Sequence, residues 1–226
     1  MPTLVIANKL YSSWSMRPWL LMKQLGIAFD EIVIPLDQPN TPARIRKHSP
    51  AGKVPVLIDG DVTVWESIAI MEYVADTYST SIWPLDPKAR AMARAISAEM
   101  HAGFQALRSA CPMNLGKKYP ERDRGEAVAR DVARIEQIFR EARRRFGTHG
   151  PFLFGEFSAA DAMFAPVVTR LSTYSIPVRD DTTAYMDAVL STPAYREWLL
   201  EALKEPWVVP HDEVDEQPIA VYRRAA

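Results

Sequence analysis

Three short stretches near the start of the chain carry residue types suited to holding and activating a small polar molecule. The first is Tyr11-Ser12-Ser13-Trp14-Ser15, a turn between an apolar run and an amphipathic one. Hydroxyls and free backbone N–H groups at a helix N-terminus attract an anion, because the orphan donors and the helix dipole both face it. The same serines also serve as ordinary N-caps. The second stretch is Lys53-Val54-Pro55-Val56. A cis Val54–Pro55 bond at the head of a strand would turn the Val54 N–H and C=O toward an extended peptide ligand. A trans bond would leave a proline on an edge strand, and the local sequence leaves both open. The third is Glu66-Ser67, at the start of a helix. Its hydroxyl and backbone N–H suit a carboxylate and Glu66 suits an ammonium, the two charges of an amino-acid head group; the plainer reading is a helix start.

The elements that must position these residues follow from pattern. Residues 4–7 form a short apolar strand, and a helix is expected over 16–25, with Pro18 in its first turn and Gly26 stopping it. A second strand is expected over 29–34, then a loop over 35–42. Asp59-Gly60 between two β-branched runs predicts a hairpin, and a helix runs from Glu66-Ser67 to about Tyr78. The order is βαβ–ββα, whose first three elements imply parallel strands. Residues 78–87 read as linker, and beyond them the pattern predicts helices and no strand.

A single helix is expected over 88–110, ending before Pro112. The next covers 124–146, with Val128, Val132, Ile135, Phe139, Ala142 and Phe146 as its buried stripe. Glu126–Arg130, Glu136–Arg140 and Glu141–Arg145 are acid-first pairs on its wet face, and Arg143-Arg144-Arg145 reads as a solvated helix end. Ser158 and Asp161 form a capping-box variant, taken as a helix start and nothing more. Helices near 183–190 and 193–203 precede a polar tail expected to lie over the surface.

Composition limits the possible functions. The 226 residues carry 27 Lys and Arg against 28 Asp and Glu, for a net charge of −1. That balance argues against nucleic acid or an anionic membrane as the main partner. One cysteine, Cys111, excludes a disulfide framework, a CxxC pair and a multi-Cys metal site, and reads as a buried small hydrophobe. With no apolar run of membrane-span length, the expectation is a soluble, cytoplasmic protein.

Taken together, the motifs resemble the glutathione transferase superfamily over nearly the whole chain. Ser12-Ser13-Trp14-Ser15-Met16-Arg17 is similar to the SSCxxR turn of the zeta class, with Trp14 in the cysteine position; the serine type also points to the theta class. Ser49-Pro50-Ala51-Gly52-Lys53-Val54-Pro55-Val56-Leu57 is similar to the NPxGKVPxL segment, and Glu66-Ser67-Ile68-Ala69-Ile70 to the ESxAI helix start. Ser158-Ala159-Ala160-Asp161 resembles the S-x-A-D helix of the family's helical domain. The resemblance implies a thioredoxin-like domain over 1–80, a linker over 81–87, an all-helical domain over 88–226, and a homodimer.

It also implies glutathione as cosubstrate, with no metal. By position, Lys53 would meet the glycyl carboxylate, Val54 before a cis Pro55 would pair with the cysteinyl backbone, and Glu66 and Ser67 would hold the γ-glutamyl end. Ser12, or Ser13 in the other register, would donate to the thiolate. A thiol titrates near 8.5, so little is ionised at neutral pH, and each unit of lowering is worth about 1.4 kcal/mol. The expected reaction is attack of that sulfur on a small apolar electrophile, in the manner of detoxification. The electrophile is expected between the domains, against Trp14 and the first long helix of the second domain, where Met100, Phe104 and Leu107 share a face and read by default as core residues. His101 and Arg108 lie nearby without an assigned role, and Arg17 either supports the turn or makes a salt bridge. Glutathione-dependent cis–trans isomerisation of the maleylacetoacetate type, and a non-catalytic module of the same fold, are the alternatives.

Overall fold

A computed structural model describes residues 1–78 and 81–223. Ser79 and Thr80, at the expected domain boundary, lie outside the described residues, as do 224–226. Four strands form the N-terminal sheet: β1 (Thr3–Ile6), β2 (Asp30–Val33), β3 (Val56–Asp59) and β4 (Val62–Trp65), in the order β2-β1-β3-β4. β1 and β2 are parallel and the other two pairings antiparallel, as the expected order of elements requires. Side-chain alternation sorts β1 between two cores. Leu4 and Ile6 join Leu20 and Leu21 of α1 (Ser13–Gln24) and Ile70 and Val74 of α3 (Ser67–Tyr78). Val5 packs with Ile34 and Val56 under Ile45 of α2 (Thr41–Arg46).

Two local expectations change here. Helix α1 starts at Ser13, capped by Ser12, so Pro18 falls in the second turn and removes the hydrogen bond to the Trp14 carbonyl. Gly26 does end it, with φ +69 and its N–H on the Lys23 carbonyl at 3.1 Å. Helix α2 replaces part of the expected loop; at six residues it is too short to show a period.

The helical part contains α4 (Pro87–Ala102), α5 (Gln105–Ala110), α6 (Glu126–Phe146), α7 (Ala159–Thr173), α8 (Asp180–Leu190) and α9 (Pro193–Ala202). The expected single helix over 88–110 breaks at Gly103-Phe104. Phe104 adopts φ 58, and a side chain at Gly103 would fall 2.8 Å from the Glu99 carbonyl. The α6 stripe is buried apart from Phe146, which is half-exposed. Of the three surface pairs, Glu126–Arg130 (3.5 Å) and Glu141–Arg145 (3.2 Å) form. Glu136 instead accepts from Arg179 N–H at 2.8 Å and Thr182 Oγ1 at 3.1 Å, while Arg140 turns to Asp181.

Every residue of α7 except Ser172 is buried, and the helix packs against α1, α4 and α8. An apolar helix buried all round belongs at the centre of a core. Its capping box does more than start it. Asp161 accepts from Ser158 N–H (2.9 Å) and Oγ (3.0 Å), Leu153 N–H (3.0 Å) and Tyr185 Oη (3.1 Å), tying the preceding loop and α8 to the same carboxylate. Burial pushes that carboxyl up to about 6, against the four donors that favour its charge.

A strand pair appears where none was expected: β5 (Lys117–Lys118) with β6 (Ala220–Val221), each too short to leave a pattern. The tail lies across the surface as expected, pinned where Glu213 accepts from Tyr11 Oη at 2.6 Å and Asn114 Nδ2 at 3.1 Å.

Candidate functional site

The β3–β4 side of the sheet meets α4 and α5 around a cleft of about 300 Å³. Lys53, Val54, Pro55, Trp65, Glu66 and Ser67 line it from the sheet side, and Trp14, His101, Gln105 and Arg108 from the other. Four of the six sequence-derived site residues therefore share one wall. A larger cavity of about 500 Å³, beside Trp83, Phe146 and Phe154, contains none of them.

The sheet wall is built locally. The Val54–Pro55 bond is cis. Ser49 Oγ accepts from the Lys53 N–H at 3.1 Å, which holds the loop ahead of β3. Glu66 adopts φ +69, a left-handed conformation uncommon for a residue with a side chain and often found where a site constrains the backbone. Its carbonyl accepts from Ile70 N–H at 3.0 Å, so the first turn of α3 starts directly from it. Ser67 is fully buried, and its Oγ has no hydrogen-bond partner among the described residues. An orphan hydroxyl beside a helix N-terminus needs a reason, and a ligand carboxylate supplies one.

Ser12 and Ser13 sit differently. Ser12 Oγ lies 2.8 Å from Ser15 Oγ and accepts from Ser15 N–H at 3.3 Å; Ser15 Oγ accepts in turn from Ala7 N–H at 3.0 Å. Ser13 Oγ accepts from Arg170 Nη2 at 3.2 Å. Neither serine lines the cleft, and Trp14 is the residue of that turn that does.

Around Trp14 is an aromatic and cationic stack. The Arg17 guanidinium lies 4.1 Å and that of Arg108 4.6 Å from the Trp14 ring centroid, and His101 meets the ring edge-on at 5.1 Å. His101 Nε2 is 3.6 Å from Glu66 Oε2, across the cleft, while its buried Nδ1 has no partner. Burial holds the His101 imidazole below the usual histidine range despite the pull of Glu66.

Arg17 makes no salt bridge among the described residues. It is fully buried and donates to the Ser13 carbonyl at 3.0 Å and the Met163 carbonyl at 3.1 Å. Arg170 of α7 donates to the Cys111 carbonyl at 2.9 Å as well as to Ser13. Arg170 and Gln105 were missed from sequence; the available signal was a lone arginine inside the otherwise apolar run of α7. Met100, Phe104 and Leu107 are buried core, in line with their default reading. Cys111 is buried and its thiol is pushed up to about 11, which removes it as a nucleophile.

Residues 11–77 match the family model for the glutathione S-transferase N-terminal domain, and residues 125–200 match the one for the glutathione S-transferase C-terminal domain. Glutathione S-transferase L1 of Arabidopsis thaliana is 24% identical over 85% of this chain and 76% of its own. The maleylacetoacetate isomerase of Rattus norvegicus is 28% identical over 73% and 75%. Among solved structures, a Burkholderia glutathione transferase homologue with bound glutathione superposes at a TM-score of 0.67, covering 89% of this chain and 97% of that one at 22% identity. Both domains are thus matched in order, on a mixed sheet followed by helices, and the chain belongs to the glutathione transferase superfamily.

Proposed function

We propose that this protein is a glutathione transferase that binds the tripeptide along the sheet wall of the cleft. The observation that carries the reading is Ser67 Oγ, wholly buried and unpartnered at the head of α3, in one cleft with Lys53, Val54 and Glu66. In this reading the γ-glutamyl carboxylate takes the Ser67 hydroxyl and the α3 N-terminus, and Glu66 holds the ammonium. The Val54 backbone, just ahead of β3, pairs with the cysteinyl residue, and Lys53 meets the glycyl carboxylate.

The thiol then lies toward the N-terminus of α1. Ser12 and Ser15 form a hydroxyl pair in which either can donate. When Ser15 donates to Ser12, the Ser12 proton is free for a thiolate, and α1 adds its positive end. The buried guanidiniums of Arg17 and Arg170, both bonded to Ser13, raise the local positive potential further. Lowering the thiol pKa supplies the nucleophile, and the serines remain neutral. Attack on an electrophilic carbon gives a conjugate. Addition followed by loss of the same sulfur gives isomerisation, the reaction named for the rat relative.

The test pairs calorimetry with an ultraviolet thiolate titration of the complex. Reduced glutathione should bind the wild type, and Glu66→Ala should weaken it with the fold intact. Ser12→Ala should leave binding nearly unchanged while raising the apparent thiol pKa. An unmoved curve transfers the role to Ser13, and absence of heat with folded wild type overturns the reading.

A further inference from the structure

The helical wall carries three guanidiniums that form no ion pair among the described residues. Arg108, half-buried, lines the cleft, and its guanidinium has one hydrogen bond among the described residues, a long contact from Nη1 to the Gly103 carbonyl at 3.4 Å. Arg17 lies on the same tryptophan, fully buried, with Nη2 lacking any acceptor, and Arg170 reaches Ser13 beside it. Among the described residues no carboxylate comes within 4.0 Å of any of these three, although other arginines of the chain are paired. A guanidinium withdrawn from water without a counter-ion is costly, and an entering anion offsets that cost.

Glutathione does not meet this need in the reading given above, on which this inference rests. Both of its carboxylates are taken by the sheet wall, one at Lys53 and one at Ser67. We propose that Arg108 recognises a carboxylate on the second substrate, so that the electrophile is a small organic acid rather than a purely apolar compound. The apolar side chains of this face, Met100, Phe104 and Leu107, are in the core, and the residues that line the cleft from α4 and α5 are His101, Gln105 and Arg108.

The stack makes Arg108 a prepared receptor. Its guanidinium lies over Trp14 at 4.6 Å, and Trp14 is itself seated over Arg17, which two backbone carbonyls hold. A planar fork fixed in this way matches a carboxylate with two parallel hydrogen bonds and little further loss of side-chain freedom.

The experiment compares two glutathione conjugates of one shape, S-(4-carboxybenzyl)glutathione and S-(4-carbamoylbenzyl)glutathione, by calorimetry. Wild type should bind the carboxylate about tenfold tighter than the amide, or about 1.4 kcal/mol. Arg108→Gln should abolish that preference, Arg108→Lys should keep part of it, and the affinity for unmodified glutathione should stay within about twofold in each. Equal affinities in wild type, a preference that survives Arg108→Gln, or equal weakening of both conjugates would overturn the proposal. If Arg108→Gln fails to fold, the wild-type pair and Arg108→Lys still decide it. Failure of the transferase reading is a separate result, since it appears as no heat from unmodified glutathione.

Discussion

On the sheet side of the cleft, Lys53, Val54 and Pro55 are consecutive, as are Trp65, Glu66 and Ser67, and each triplet is shaped by its own loop or helix start. On the helical side, Trp14, His101 and Arg108 come from three helices. Behind them Arg17 stacks on Trp14, and Arg17 and Arg170 reach carbonyls far away in sequence. One wall is local chemistry repeated along a strand edge; the other is a tertiary assembly that exists only when α1, α4, α5 and α7 have docked. Substitutions should therefore separate: binding without stability on the first wall, stability with binding on the second.

The largest effect should come from beneath the helical wall. Asp161→Ala removes the carboxylate that ties α7, α8 and the preceding loop, and should cost roughly 3 kcal/mol or more in urea unfolding. A small loss would break the comparison. The same carboxylate predicts a pH dependence, because its folded pKa of about 6 lies above the ordinary value near 4. Between those values the folded chain keeps a proton that the unfolded chain has released, so stability falls as pH rises through this window. Measured against Asp161→Asn, wild type should lose stability from about pH 4 to about pH 6, and a flat difference would show the four donors winning over burial.

Next in size is Arg170→Ala. It leaves Ser13 Oγ and the Cys111 carbonyl without their donor and opens a cavity, for about 2–3 kcal/mol by thermal or urea unfolding. Ser67→Ala should separate the walls most sharply. Deleting an unpartnered buried hydroxyl should leave stability within about 1 kcal/mol, or raise it, while glutathione affinity falls about tenfold by calorimetry. Smallest is Glu141→Ala, which removes an exposed i,i+4 pair and should change stability by less than about 0.5 kcal/mol.

The same contrast marks how far the sequence could be read. The β3–β4 hairpin was legible because Asp59-Gly60 is a turn signal in itself, and α3 because Glu66-Ser67 preceded an apolar stripe. Helix α2 and the β5–β6 pair carry too few residues to show a period. The break at Gly103-Phe104 was hidden because the apolar pattern continues through it, yet that break puts His101 and Arg108 on different helices. Glu136 was expected to pair along its own helix, but Arg179 and Thr182 of a neighbouring element reached it first.

By itself the chain dictated the four strands of the N-terminal sheet and the longer helices, though not α2, the β5–β6 pair or the break at Gly103-Phe104, and it set the residue order of the sheet wall. Those depend on neighbours a few positions apart, whose dihedral preferences and capping chemistry are written locally. Only the tertiary structure decided that Trp14 lines the cleft while Ser12 and Ser13 do not. It also placed the Met100, Phe104 and Leu107 side chains in the core and left Arg108 without a counter-ion. The reason is physical: whether a side chain is buried, paired or free depends on which distant surfaces exclude water around it, and no short window of sequence contains that information.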